Sequence, residues 1–334
     1  MSYADKVFKE TCIDILTNGT DTKGEAVRPK WEDGEYAYTI KKFGVVHKYD
    51  LREEFPAITL RRIGLKSCFD EILWIYQKKS SFISQLKSHI WDQWADSSMS
   101  IGKAYGYQIA EMHFYKGITE EKLKKAFDCT FQDGSRTLMN YPGLGTKDVN
   151  CRKCLDKNDR IIAEFYENYD YWRMDQMDKA LYDLANTPFS RRIMTTTWNP
   201  DELYEMNLEP CAYSMTYNVT EENGELILNA VLNQRSQDML AANGWNTAQY
   251  ALLLMMVARH VGMTPGVLMH VITDCHIYDR HIDMVKSLLD REEYPAPKVS
   301  LNPEKKDFYD FTVDDLIIEN YQYGEQIKNI PIAV

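Results

Sequence analysis

Between Glu209 and Asn246 the chain carries a thiol, an anion-binding pair and an amide: Pro210-Cys211, then Gln234-Arg235-Ser236-Gln237-Asp238, then Asn246. A cysteine sulfur becomes a strong nucleophile when a nearby cation favours its thiolate. Arginine beside serine offers several donors to an anion. An asparagine presents a donor and an acceptor side by side, so one side chain reads a ring carbonyl and its neighbouring N–H together. Local pattern brings the first two groups close. Tyr213–Val219 reads as a strand, and Asn223-Gly224 is a strong hairpin-turn signal. Leu226, Leu228, Ala230 and Leu232 then alternate with Asn229 and Asn233, as in a strand with one face more buried. Cys211 stands just before the first strand and Arg235-Ser236 end the second. The thiol and the anion-binding pair are thereby fixed on neighbouring strands.

Other elements must surround this hairpin. Helical spacing over Ser67–Lys78 puts Cys68, Ile72, Ile75 and Tyr76 on one face, with Glu71 at its edge. A carboxylate there is desolvated, which lifts its pKa toward the range useful for proton transfer. A buried glutamate paired to an arginine has the same spacing. Trp245–Val261 reads as an apolar helix ended by Gly262, with Asn246 in its first turn, where helix capping is the ordinary role. Val267–Ile272 is strand-like, and beyond it His276 and Tyr278 share a strand face. Tyr3–Leu16 reads as an amphipathic helix, followed by a polar loop with Arg28 before Pro29-Lys30-Trp31. Asp175–Ala185 is a helical run, stopped by Asn186-Thr187-Pro188-Phe189 and followed by Arg191-Arg192 and a β-rich Ile193–Trp198. Trp91 and Trp94 lie in an aromatic-rich loop or short helix, and Tyr105 lies in Gly102–Gly106.

In this order the motifs resemble the thymidylate synthase family. The likeness rests on Pro210-Cys211, Gln234–Asp238 and Asn246–Tyr250, with Phe55-Pro56, Glu71–Trp74, Ile90–Trp94, Tyr105-Gly106, Ser190–Arg192, Asp274–Tyr278 and the terminal Ala333-Val334. It implies an α/β (α+β) fold: one domain over residues 1–334, with a twisted mixed β-sheet covered by helices on one face. The other face would pair sheet-to-sheet with a twin in a homodimer. The implied reaction is reductive methylation of dUMP to dTMP. The co-substrate would be 5,10-methylenetetrahydrofolate, released as dihydrofolate, and no metal is needed. Cys211 would add to C6 of the base, since uracil C5 is not nucleophilic enough alone. Arg235 and the phosphate-binding arginines would lower that thiol's pKa. Glu71, Tyr105 and Asp238 would complete the catalytic set. Arg28, Gln234, Arg235, Ser236, Asn246, His276 and Tyr278 would hold the nucleotide, with asparagine at 246 favouring uracil over cytosine. Arg191 and Arg192 would reach across a two-fold axis to the partner's substrate phosphate. Arg61, Trp91, Trp94, Asp238, Ala333 and Val334 would line the folate site.

Three departures from the family lie in the motifs. Ala212 replaces a histidine after the cysteine, Ala241–Trp245 replaces a more usual Leu-Gly-x-Pro-Phe, and Thr273 replaces a glycine. All three are expected near the pocket. Water capturing the one-carbon intermediate there, in place of hydride, would make the chain a folate-dependent pyrimidine nucleotide hydroxymethylase. Trp91, Asn246 and the Ala-Val terminus favour methyl transfer. Residues 111–170 have no counterpart, and read as a surface insertion with one or two helices that leaves the chemistry untouched. That stretch holds Tyr141–Gly145 and a Cys151-Arg152-Lys153-Cys154 motif. The CxxC invites a zinc or redox reading, but a second ligand pair is missing.

Composition narrows the class. A net charge of −11 argues against broad nucleic-acid or anionic-membrane binding. No apolar run approaches the roughly 20 residues of a membrane span, and the N-terminus lacks a signal peptide's apolar core. Seven cysteines, odd in number and scattered, fit reduced thiols in the cytoplasm. A thiol hydrolase built from Cys211 and His276 would leave Arg235, Ser236 and Asp238 without a role. A noncatalytic nucleotide-binding protein would have no use for the thiol.

Overall fold

The computed structural model describes residues 1–134, 136–141, 145–167 and 169–334. Within the Tyr141–Gly145 stretch, residues 142–144 lie outside the described residues. The main sheet has six strands: β1 (Thr20–Asp21), β2 (Thr39–Asp50), β9 (Met194–Thr196), β10 (Ala212–Glu222), β11 (Glu225–Asp238) and β12 (Thr264–Tyr278). Their order is β1-β2-β12-β11-β10-β9, and only β11 and β12 run parallel. The sheet is therefore mixed, as expected.

The β10–β11 hairpin turns at Asn223 and Gly224, which have φ of 54° and 84°. Positive φ at both central residues is what a tight hairpin turn with matched twist requires. The turn sets the register from Glu222–Glu225 as far as Ser214–Asn233, where a bulge shifts it by one, so Ala212 meets Gln234 at the far end. Helix α6 (Asn243–Val261) connects the parallel pair and packs against both β11 and β12. It stops at Gly262, whose left-handed φ of 69° closes the last turn. Helix α1 (Tyr3–Asn18) packs on β2 and β12. Helix α2 (Leu65–Ile72) packs on α6 and continues into a π-helical turn, Leu73–Gln77. The run expected over Ser67–Lys78 is helical throughout, but its second half is widened. Leu228, Ala230, Leu232, Leu268 and Ile272 point into the helical layer and are buried. Residues between them on the strands, including Val231, Met269 and Val271, are only half-buried. Among the described residues, no helix is long and apolar enough to cross a membrane.

Residues 111–170 hold more strand than expected. A second sheet is built here, with β4 (Cys129–Gln132), β6 (Gly145–Asp156), β7 (Ile161–Tyr166), β8 (Tyr171–Met174) and β3 (His113–Tyr115), while β5 (Arg136–Tyr141) also pairs with β6. Every described pairing in it is antiparallel. Among the described residues one helix lies within 111–170, the capped α4 (Glu120–Ala126), within the one or two expected, and α3 (Gly106–Ala110) precedes it. The strands show two-residue alternation, as in the buried Trp172 and Met174 against the half-buried Tyr171 and Arg173. Cys151 and Cys154 sit three apart on β6, packed into two separate apolar clusters, so the CxxC does not form one chelating pair. Among the described residues, no group of three metal-ligating side chains occurs.

This second sheet is bolted to the rest through Asp178 of α5 (Gln176–Asn186), a fully buried carboxylate. Arg160, at the start of β7, donates to it at 2.8 and 3.2 Å, Tyr309 Oη at 2.6 Å, and Lys79 Nζ at 3.3 Å. Burial alone would raise the pKa of Asp178, but Lys79 and Arg160 outweigh it and hold the carboxyl ionised. Two more short segments complete the chain: α7 (Ile282–Leu289) and a hairpin of β13 (Lys298–Leu301) with β14 (Leu316–Glu319).

Candidate active site

Cys211 stands at the head of β10, where the hairpin sets it beside Arg235. Arg235 N donates to Cys211 O at 2.9 Å, and its guanidinium donates to the carbonyls of Pro210 (3.0 Å) and Glu209 (2.7 Å). Held this way, Nη2 lies 3.8 Å from Cys211 Sγ. On the other side, Tyr105 Oη accepts a hydrogen bond from Cys211 N at 3.1 Å. Tyr105 itself has φ of 47°, a conformation aromatic residues rarely adopt. The next residue must be glycine, because a Cβ on Gly106 would lie 2.3 Å from Ser80 O. The loop thus carries strain of order 1–3 kcal/mol to aim one hydroxyl at the thiol's backbone.

The thiol's acidity differs from expectation. Burial pushes the Cys211 pKa up, Arg235 and then Arg28 pull it down, and the net direction is upward. Desolvation of the thiolate exceeds the positive field. Arg28 is exposed, yet its charge reaches both Cys211 and Tyr278.

Glu71, on α2, is buried, and burial pushes its pKa up to about 7. Trp245 Nε1 donates to its Oε2 at 3.0 Å. Gln249 and Trp91 face the same carboxylate with buried N–H groups that have no hydrogen-bond partner among the described residues and that favour its ionised form. Among the described residues no arginine pairs with it, so a buried ion pair is not what holds this carboxylate. Tyr105 lies within the electrostatic reach of both Glu71 and Cys211. Trp91 packs edge-on against Tyr105, with centroids 5.1 Å apart, and against Trp94 at 5.7 Å.

Asn246 does not cap α6. Its Oδ1 accepts from Gln234 Nε2 at 3.1 Å and its Nδ2 donates to Gln249 Oε1 at 3.1 Å. His276 Nδ1 lies 2.7 Å from Asp274 Oδ1, and its ring meets Tyr278 at 4.9 Å. Asp238 ends β11 and accepts from the backbone N–H groups of Leu240 (2.8 Å) and Ala241 (3.1 Å). Burial would raise its pKa, but His281, His276 and those donors bring it below the usual carboxylate range. His281 in turn contacts Pro331 O at 2.8 Å through Nε2. The chain end is pinned by Lys30 N to Val334 O (2.8 Å) and Val334 N to Lys30 O (3.0 Å). Ala333 and Val334 are thereby brought beside the Arg28 loop. Arg61 is buried, with its guanidinium on Leu240 O and its charge near Asp238. Ser236 lies on β11 beside this cluster, and its carbonyl accepts from Gln234 at 2.9 Å. Arg191 and Arg192 are exposed, and neither guanidinium makes a hydrogen bond or ion pair among the described residues.

A thymidylate synthase profile matches residues 6–334. The chain belongs to the thymidylate synthase family. It is 34% identical over 332 residues to the thymidylate synthase of Bacillus mojavensis, covering 98% of each chain. Thymidylate synthase 1 of Bacillus subtilis strain 168 is similar at 34% over 331 residues, again 98% of each. Among solved structures, the thermostable thymidylate synthase A from Bacillus subtilis superposes with a TM-score of 0.75 at 33% identity, covering 100% of both chains. As a thymidylate synthase family member the chain is an enzyme of the methyltransferase class.

Set against the family pattern, the three departures fall in different places. Ala212 is buried beside the thiol, and Trp245 supplies the direct donor to Glu71. Thr273 does not belong with them: its side chain is exposed on β12, between the buried Ile272 and the half-buried Asp274. Sequence reasoning missed Gln249 and His281. Gln249 follows Trp245 by four, so both project from one face of α6. His281 follows Tyr278 by three, and nothing in its local pattern announces a contact with Asp238.

Proposed function

We propose that this enzyme methylates dUMP reductively to dTMP, using 5,10-methylenetetrahydrofolate and releasing dihydrofolate. The carrying observation is the pairing of Cys211, with Arg235 3.8 Å from its sulfur, and a buried Glu71 whose pKa is about 7. A nucleophile near a cation and a carboxylate that exchanges protons near neutrality suit covalent addition to an electron-poor ring. Cys211 Sγ adds to C6, and the electron pair moves toward C5 and O4. The folate supplies the one-carbon unit and then the hydride, whose addition to the exocyclic methylene expels the Cys211 thiolate from C6. Glu71, with Tyr105 and Asp238, handles the protons taken up at the base carbonyl and lost from C5. The phosphate is assigned to Arg235, Ser236 and Arg28, the base to Asn246 and Gln234, and the sugar hydroxyl to His276 and Tyr278. Arg61, Trp91, Trp94, Asp238, Ala333 and Val334 are assigned to the folate.

Residues 1–334 are read as one catalytic domain, with an insertion at about 111–170. A homodimer is supported by the half-buried outer face of the main sheet, where Val46 is 51% and Met194 48% exposed. The unpaired Arg191 and Arg192 would complete the partner's phosphate site. The seven unbridged cysteines support a reducing compartment, the cytoplasm.

The test is absorbance at the dihydrofolate band with dUMP and methylenetetrahydrofolate, alongside product analysis. Dihydrofolate formed in step with dTMP, and lost in Cys211→Ser, is the expected result. Nucleotide consumed without dihydrofolate, with a hydroxymethyl product, would make the hydroxymethylase reading correct.

A further inference from the structure

Gln249 lies at the centre of a hydrogen-bond chain whose direction is fixed at both ends. Ser236 O can only accept, so the Gln234 atom 2.9 Å away is Nε2. The other hydrogen of that nitrogen reaches Asn246 Oδ1 at 3.1 Å, which makes the facing Asn246 atom an acceptor. Asn246 Nδ2 must then donate to Gln249 Oε1, at 3.1 Å. Gln249 Nε2, on a residue only 2% exposed, is left facing Glu71 with no hydrogen-bond partner among the described residues. Gln234 Oε1 is likewise left to accept from His270 Nε2, at 2.8 Å. The polarity thus runs one way, from His270 through Gln234, Asn246 and Gln249 to the Glu71 carboxylate. Reversing any amide would set donor against donor or acceptor against acceptor in a buried site.

This order leaves Asn246 one free hydrogen on Nδ2 and one free lone pair on Oδ1. Uracil, with a carbonyl beside an N–H, matches that arrangement. Cytosine, with an amino group beside a bare ring nitrogen, needs the amide turned over. We infer that Gln249 is a specificity-determining positioning residue, which with Gln234 holds Asn246 in the uracil-reading orientation and turns its own donor toward Glu71. The inference rests on the proposed roles of Asn246 and Glu71. Trp245, four residues earlier on the same face of α6, holds the other side of the carboxylate. The titratable groups facing Glu71 are Cys68 and Asp70 from its own helix, Tyr105, and Tyr250 from α6. None is a cation, so the amide and indole donors are what favour its ionised form.

The full-length enzyme tests this with two variants. Gln249→Met removes both contacts at nearly constant length. Gln249→Glu keeps an acceptor for Asn246 but loses the donor to Glu71. Turnover of dUMP, binding of dCMP and the acid limb of kcat/KM are measured from about pH 5.5 to 9. In Gln249→Met, preference for dUMP over dCMP is expected to fall about tenfold or more, with the acid limb moved up. In Gln249→Glu, preference is expected to hold while the acid limb still moves up. Equal losses for both nucleotides with an unmoved limb would reduce Gln249 to packing and overturn the inference. Should Gln249→Met fail to fold, an unmoved limb in Gln249→Glu overturns it equally. Asn246→Ala separates the layers: unchanged discrimination in that variant sinks the reading of Asn246 itself.

Discussion

Trp245 Nε1 donates to Glu71 Oε2 at 3.0 Å, joining the start of α6 to the middle of α2 inside the core. The bond favours the ionised carboxylate, against burial that lifts its pKa to about 7. Removing the donor in Trp245→Phe should therefore raise that pKa further. The acid limb of kcat/KM is expected to move up by about one pH unit, the equivalent of a charged hydrogen bond. An unmoved limb would show that Glu71 does not govern it.

Stability should respond to the same carboxyl with the opposite preference. Its folded pKa is raised above the ordinary 4.5, so the fold favours the neutral form. That contribution is complete below pH 4.5 and is lost as pH rises through about 7. Glu71→Gln, permanently neutral, should therefore be inactive yet more stable than the parent near pH 8, by up to about 3 kcal/mol. Near pH 5 the two should unfold at similar urea concentrations. A gap that does not depend on pH would contradict the assignment.

Arg235 opposes the burial that makes the Cys211 thiol less acidic. Arg235→Met should raise the thiol pKa again, because the cation 3.8 Å from sulfur is lost. Alkylation of Cys211 by iodoacetamide near neutral pH should slow about tenfold, following the thiolate fraction. An unchanged rate would mean that burial alone sets the reactivity of this sulfur.

Short-range signals made some of this architecture readable and left the rest hidden. The Asn223-Gly224 turn and the alternation after it are local, so the hairpin and the meeting of Cys211 with Arg235 followed from the residues alone. Glu71 was legible for the same reason, as its place on a helical face depends on spacing. That Arg235 lowers the Cys211 pKa was legible, whereas the burial that outweighs it depends on long-range packing. The second sheet was missed since most of its strands are short and mixed in charge. Gln249 shares a face of α6 with Trp245, but its approach to Glu71, like that of His281 to Asp238, depends on long-range packing that no local pattern encodes.

The second sheet should prove mechanically important to the fold. Asp178 is fully buried between Arg160 and Lys79, so Asp178→Ala removes the carboxylate they share and leaves Lys79 to Asp175 and Arg160 to Asp156. Losing one partner of such buried hydrogen bonds costs about 1–3 kcal/mol. Urea unfolding should show that drop, and Asp178→Leu combined with Arg160→Met should recover part of it. A loss below about 1 kcal/mol would mean the pair is solvated in solution.

The chain end offers a cleaner separation of binding from stability. Val334 pairs with Lys30 through two backbone hydrogen bonds, and Val334 is 46% exposed, so little apolar surface is lost when it is removed. Deleting Ala333 and Val334 should leave the melting temperature nearly unchanged. It should free the loop carrying Arg28, whose charge reaches Cys211 and Tyr278. With the tail also assigned to the folate site, KM for methylenetetrahydrofolate should rise about tenfold, equivalent to about 1.4 kcal/mol. KM for dUMP should rise less, since Arg235 remains anchored to Pro210 and Glu209. A lowered melting temperature with unchanged KM values would instead assign the tail to the fold alone.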